Sequence, residues 1–328
     1  MAKRYWQLAI RATFLCLVVL STVAQGTEPD CRPGESIDPI CDEPRLELSR
    51  ITVTATRRES PIERVPVSVT ALSGDKLREM GAAEFTDYAR SVPGLSFTEL
   101  GFGGPKYVIR GVTTGLFAES RAATSVYLDE TPMPVPGFFI YSYAPDPLLV
   151  DIDRIEVLRG PQGTLFGSGA MGGAIRMITN EPDPYAFESF GEAILSTTEH
   201  GGAGYELRAM LNAPAPDNRS AVRAVAYYRD LDGWIDNTFL GQKDINNDEI
   251  GGLRLSGSWT NQDHLLITGK IIHQDRKSDG SKVDQGNPPW TQQREVEEPN
   301  GDEWSLANLE INYAFDWGHL ISTTSWVD

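Results

Sequence analysis

Few residues in this sequence are spaced for chemistry. Gly167-Ser-Gly-Ala-Met-Gly172 matches the G-x-G-x-x-G dinucleotide fingerprint letter for letter. That fingerprint binds pyrophosphate only where it links a strand to the start of a helix. Here the residues that follow, Ala174 to Thr179, read as a strand, so the glycines more simply permit tight turns and close backbone packing. The histidines at 200, 264, 273 and 319 have no metal-ligand spacing. Asp244-Ile-Asn-Asn-Asp248 opens like a calcium loop, but Glu249 stands at the glycine position and Leu255 at the bidentate glutamate position. No Ser/His/Asp set or carboxylate pair stands out, so no catalytic residue, metal or cofactor is assigned and the chain is not read as an enzyme. Cys31 and Cys41 lie in a Pro- and Gly-containing stretch, where an oxidising compartment would let them close a small disulfide loop; the alternative is two unpaired thiols.

The elements that carry these residues follow from composition and pattern. The formal charge of −17 argues against a nucleic-acid partner, which needs a basic face for phosphates. Lys3, Arg4 and Arg11, then the apolar run Ala12 to Leu20, then Thr22-Val-Ala24, have the order of a cleaved secretory signal, assigned to residues 1–24. The apolar run is far shorter than the roughly 20 residues a membrane helix requires. Residues 25–50 are polar and turn-rich, a flexible leader. From Ile51 to about Pro184 the pattern mixes helix and strand, and from about Phe187 onward it is strand after strand, so two domains of different class are expected.

In the second block the period is two. Tyr205, Leu207, Ala209 and Leu211 alternate with Glu206, Arg208, Met210 and Asn212; Leu253, Leu255, Gly257 and Trp259 alternate with Arg254, Ser256, Ser258 and Thr260. Seven such segments are read, near 188–198, 203–213, 219–230, 249–260, 264–274, 303–315 and 319–327. After an opening hairpin at Gly201-Gly202, short and long connections alternate, with Trp259, Tyr313, Phe315 and Trp317 beside the short ones. One greasy face, one wet face, short turns at one end and long loops at the other describe antiparallel strands of an outer-membrane barrel with an aromatic girdle at the periplasmic boundary. A soluble β-sandwich is the alternative.

The middle block carries specific motifs. Ile152 to Thr179 reads IDRIEVLRGPQGTLFGSGAMGGAIRMIT; Tyr107-Val-Ile-Arg-Gly111 and Ser125-Val-Tyr-Leu-Asp129 precede it; Leu72 to Gly94 has the form of two short helices closed by Val-Pro-Gly. In these motifs the sequence resembles the TonB-dependent outer-membrane receptors, whose N-terminal plug closes a barrel of 22 strands. The resemblance implies an α+β plug at residues 60–184, followed by antiparallel transmembrane barrel strands at residues 187–328, an incomplete barrel of about seven strands. It also implies a location in the cell outer membrane with the plug facing the periplasm.

Further roles come with the resemblance. Residues 51–59 resemble the TonB box, with Ile51, Thr52, Val53, Thr54, Ala55 and Thr56 as the TonB-binding residues. The box is expected to stand unpaired in the periplasm, free to add a strand to the edge of TonB, which works with the inner-membrane ExbB–ExbD motor. An ordinary edge strand of the plug is the alternative. Arg110 and Arg159 match arginines that lock plug to barrel glutamates, and the glutamates concerned belong to strands later than those present. Ligand contacts are expected from outward plug loops containing Phe117, Phe138, Phe139, Tyr141 and Tyr143, whose rings equally suit a packed loop. The implied function is energised uptake of a large scarce nutrient, most often a ferric siderophore, with outer-membrane lipid and TonB as partners. A periplasmic TonB-binding plug module without transport activity is the other reading. Strands about 4.8 Å apart and tilted about 40° make 22 strands roughly 44 Å wide and seven only about 14 Å, against a plug roughly 36 Å across. The chain alone is therefore expected not to close a barrel around its plug or to transport on its own.

Overall fold

The computed structural model describes residues 52–54, 57, 60–98, 105–113, 123–133, 145–261, 264–280 and 288–328. The signal, the leader with Cys31 and Cys41, Ile51, Ala55, Thr56, Phe117, Phe138, Phe139, Tyr141 and Tyr143 lie outside the described residues.

The plug is an α+β unit. Its short strands are β1 (Thr52–Val53), β2 (Ser60–Pro61), β3 (Ser68–Ser73), β4 (Leu95–Thr98), β5 (Lys106–Ile109), β6 (Thr124–Leu128), β7 (Thr131–Pro132), β8 (Ile152–Arg159) and β9 (Gly173–Thr179). β3-β8-β9-β6-β7 form one sheet, in which only β6 and β9 run parallel; β1 pairs with β2 and β4 with β5. Both faces of β8 are covered: Ile155 and Val157 join the main core, while on the other face Leu158 joins a second cluster with Val53, Tyr127 and Phe166 beside the charged Arg154 and Glu156. The two helices expected between Leu72 and Gly94 are present as α1 (Gly74–Glu79) and α2 (Phe85–Ala89). The Ser73 hydroxyl caps α1 by accepting from the Lys76 N–H. The Asp87 carboxylate accepts from the N–H groups of Ala83 and Glu84 at the start of α2. Phe85 packs edge-on against Tyr88, Phe97 and Tyr107, which ties α2 to β4 and β5.

The glycine fingerprint lies between a single helical turn, α3 (Gly163–Phe166), and β9. That is the reverse of the order a pyrophosphate site requires. Gly173 has φ of +152°, and a Cβ there would stand 2.0 Å from the Leu158 carbonyl oxygen, so close strand packing explains this glycine.

The second unit is one antiparallel wall. Its strands are β10 (Glu188–Thr197), β11 (Ala203–Pro214), β12 (Ser220–Leu231), β14 (Asp248–Thr260), β15 (Leu265–Ser278), β17 (Asn300–Phe315) and β18 (Gly318–Val327), hydrogen-bonded in that order. These are the seven segments read from the sequence. β15 and β17 extend several residues further toward the long loops than the alternation alone indicated. The phases also hold: Leu207, Leu253, Leu255, Ile271 and Leu309 are exposed on one face, and Arg223, Val225, Arg254, Ile272 and Leu306 are buried on the other. The buried face meets the plug, so the outer apolar face is the one left for hydrocarbon. Phe315 stacks on Trp317 beside a short turn.

Two long connections add structure of their own. β13 (Asp236–Asn237), between β12 and β14, pairs in parallel with β16 (Thr291–Gln292), between β15 and β17. Asn246 Oδ1 accepts from the N–H groups of Trp234 and Ile235, and Asn237 Nδ2 donates to the Arg294 carbonyl. The calcium-like segment is thus spent on loop structure, and its Asp248 is ion-paired with Arg229 and Arg276. Of the histidines, His200 stacks on Trp290 and His273 hydrogen-bonds Ser305.

Candidate functional site: the plug–wall seam and the box dock

The seam begins in an apolar-looking stretch with two aspartates, Pro145 to Asp151, all but the last residue buried. Gln274, fully buried on β15, acts there like a strand edge: its Oε1 accepts from the Leu148 N–H at 3.1 Å and from the Tyr227 hydroxyl at 2.8 Å, and its Nε2 donates to the Asp146 carbonyl at 3.2 Å. Leu148 and Val150 pack on Val225, Tyr227 and Ile250 of the wall. The Leu149 N–H turns back to the Ala83 carbonyl, joining this stretch to α2.

Ion pairs flank that stretch. The Asp151 carboxylate takes Arg223 Nη2 at 2.7 Å and Arg254 Nη2 at 2.7 Å, while Arg254 also donates to the Val150 and Asp151 carbonyls. Glu84, at the start of α2, pairs with Arg229 and, at 3.4 Å, with Arg276. Asp129, in the turn after β6, pairs with Lys270 and accepts from the Thr179 N–H at 2.8 Å. In all three the plug supplies the carboxylate and the wall supplies the cation.

Arg110 and Arg159 lie elsewhere. Arg110 is exposed, with φ of +52°, and its N–H donates to the Gly94 carbonyl; Arg159 Nη1 donates to the Pro93 carbonyl at 2.9 Å. Among the described residues neither forms an ion pair with a carboxylate of these seven strands. Nothing in the sequence distinguished the lumen-phase cations Arg223, Arg229, Arg254, Lys270 and Arg276 from solvated ones except their shared phase.

The described part of the segment that resembles a TonB box is not unpaired. Thr52 and Val53 pair with Pro61 and Ser60, and Val53 is wholly buried against Leu158, Phe166 and Ala174. The Thr54 N–H donates to Glu156 Oε1 at 2.7 Å, and its hydroxyl accepts from Arg176 Nη1 at 2.6 Å and Arg154 Nη2 at 3.1 Å. The expectation of a free strand therefore fails for Thr52–Thr54. The β-branched residues that favour extension also give it a greasy face, and an apolar slot beside a buried Glu156–Arg176 pair is available to hold that face.

Asp146 is a buried acid whose Oδ1 has no hydrogen-bond partner, and the Tyr88 hydroxyl is equally orphaned. Burial pushes the Asp146 carboxyl up to about 7, with Arg276 opposing and Asp302 and Asp87 adding to the rise. A native pKa above the unfolded one means that the folded state holds a proton which the unfolded state releases. Stability is then present in acid and falls as pH rises from about 4 to about 7. Asp146→Asn is expected to flatten that fall, as read in urea midpoints at pH 5 and pH 8; an unchanged difference between the two would show that Asp146 is already ionised in the native state.

A mixed plug sheet bonded to the lumen face of an antiparallel wall, greasy outside and short-turned at one end, is the architecture of a plugged outer-membrane β-barrel. Residues 61–174 match the family model described as the TonB-dependent Receptor Plug Domain. The hemin receptor of Yersinia pestis is 32% identical over 206 residues, 60% of this chain and 26% of that protein. The pesticin receptor of Yersinia pestis is 28% identical over 210 residues, 63% of this chain and 28% of that protein. The crystal structure of the ferric yersiniabactin uptake receptor FyuA from Yersinia pestis superposes with a TM-score of 0.63 at 20% identity, covering 80% of this chain and 41% of that one. The chain thus spans about a quarter of the length of these curated relatives. The likeness to FyuA carries the fold.

Proposed function

We propose that the chain serves energised uptake across the outer membrane of a large, scarce nutrient, a ferric siderophore being the favoured class. The observation that carries the reading is the plug seated on the lumen face of the wall by buried ion pairs, with the box segment attached to the same plug sheet. In this reading TonB, driven by ExbB–ExbD, adds its edge to residues 51–56 and pulls on β8 and β9 through Thr54. Arg110 and Arg159 would serve a second lock with strands beyond these seven, and Phe117, Phe138, Phe139, Tyr141 and Tyr143 would face the ligand. The named cargo of the relatives supports the class: hemin, vitamin B12 and ferric yersiniabactin are all large, and two of the three carry iron.

The test is binding of the TonB C-terminal domain to the detergent-solubilised chain, with residues 51–56 intact and deleted, alongside tryptophan quenching by ferric siderophores. TonB binding that needs residues 51–56 supports coupling, and quenching identifies the cargo. Absence of TonB binding to the intact chain would end this reading, and TonB binding without any ligand would favour a non-transporting plug module.

A further inference from the structure

The seam and the box dock are two separate networks that share one turn. Asp129 and Glu130 are consecutive, with Asp129 at φ +54°, so their carboxylates diverge. Asp129 reaches Lys270 on the wall, whereas Glu130 reaches Arg176 and Arg57 in the box network. Thr52–Thr54 touch the middle of β8 and β9 and bond to Arg154, Glu156 and Arg176. Among the described residues, the hydrogen bonds of residues 145–151 to other elements run to Ala83 just before α2 and to the wall, except that Asp151 also accepts from Asn180.

We propose that Glu84, Asp129 and Asp151 are positioning residues forming a fixed seat on β12, β14 and β15, with plug acids on wall cations, and that this seat stays closed when the box segment is released. The polarity is opposite to that of the Arg110/Arg159 lock, so the two would not exchange partners during a movement. At Asp151 one carboxylate serves two nearly buried guanidinium groups, so removing it leaves both uncompensated in the closed seat. The box is held by one short pairing, one buried valine, the contacts of Thr54 and the partly exposed Arg57, which pairs with Glu130 and lies over the Tyr127 and Phe166 rings; its ion pair is more open to water than those of Asp151, which makes the box the weaker attachment. The inference rests on the proposed function only in naming Thr52–Thr54 as the pulled element.

The experiment is maleimide labelling of single cysteines in membranes, with Cys16, Cys31 and Cys41 replaced by Ser. Leu148→Cys reports the seat and Val53→Cys the box dock, both sites being buried. In the Asp151→Asn/Glu84→Gln background, Leu148→Cys is expected to label about 100-fold faster while Val53→Cys stays protected. In the Glu156→Gln background the pattern reverses: Val53→Cys labels and Leu148→Cys does not. Asp151→Glu, which keeps the charge, should restore most of the protection at Leu148→Cys. Labelling of both sites in either background would show that the plug undocks as one body, and protection of Leu148→Cys without the carboxylates would show that apolar packing alone holds the seat. Either result overturns the proposal. No TonB is present in the assay, so failure of the uptake reading would not imitate these outcomes.

Discussion

Asp151→Asn will destabilise the docked plug by about 3–5 kcal/mol, the usual cost of removing one partner of a buried ion pair. Asparagine tolerates the φ of +56° that Asp151 adopts, so the change tests charge and not backbone conformation. What it leaves behind is Arg223 and Arg254, both nearly buried, facing a neutral amide. Arg223 keeps Glu188 at 3.0 Å, whereas Arg254 keeps only the Val150 and Asp151 carbonyls, so Arg254 bears most of the loss. Burial by itself would raise the Asp151 carboxyl, but the hydrogen bond from Arg223 and the charges of Arg254 and Arg223 hold it below its usual value. With the native pKa below the unfolded one, this contribution is complete above about pH 4 and is lost as pH falls through the lower native value. Urea unfolding of the solubilised chain at pH 7 checks the magnitude, and the same titration at pH 3 should show the gap between parent and variant narrowing. A gap below about 1 kcal/mol at pH 7 would mean that water reaches the two guanidinium groups.

Such a network could not be found by pattern. The seven wall strands were legible because each has one face against hydrocarbon and one against the plug, and period-two alternation records that choice locally, residue by residue. The motif Leu158-Arg-Gly-Pro161 and the helices between Leu72 and Gly94 were likewise readable, through their match to the plug family. Partners were another matter. Asp151 and Arg223 are 72 residues apart, and Asp129 and Lys270 are 141. A wet phase on a strand looks the same whether it meets water or a carboxylate. The box segment shows the same limit from the other side. The β-branched pattern of Ile51 to Thr56 specifies extension but does not specify whether the strand is free, because the acceptor Glu156 lies 102 residues beyond Thr54. Sequence periodicity reports which face is greasy and leaves open what covers it.

The box dock gives the second large effect. Glu156 is fully buried, accepts from the Thr54 N–H, and pairs with Arg154 at 2.8 Å and Arg176 at 2.9 Å. Glu156→Gln keeps the side-chain shape but weakens a charge-assisted hydrogen bond to the box, worth about 1.5–3 kcal/mol. Arg176 remains paired with Glu130, so β9 is expected to stay folded. A docked segment is unavailable to any partner that must pair with it, and apparent affinity is reduced by the fraction that is undocked. Loosening the dock by that amount should therefore tighten binding of the TonB C-terminal domain by about 10- to 100-fold while slowing nothing in its association. Val53→Asp should act in the same direction, because a carboxylate cannot occupy the slot between Leu158 and Phe166, although it also alters the segment that TonB would grip. Glu156→Gln lies outside that segment and separates the two effects. Titration calorimetry of parent and Glu156→Gln chains with TonB decides the matter. Equal affinities would mean that the segment leaves its slot at no cost, and that the pull reaches β8 and β9 by some route other than Thr54.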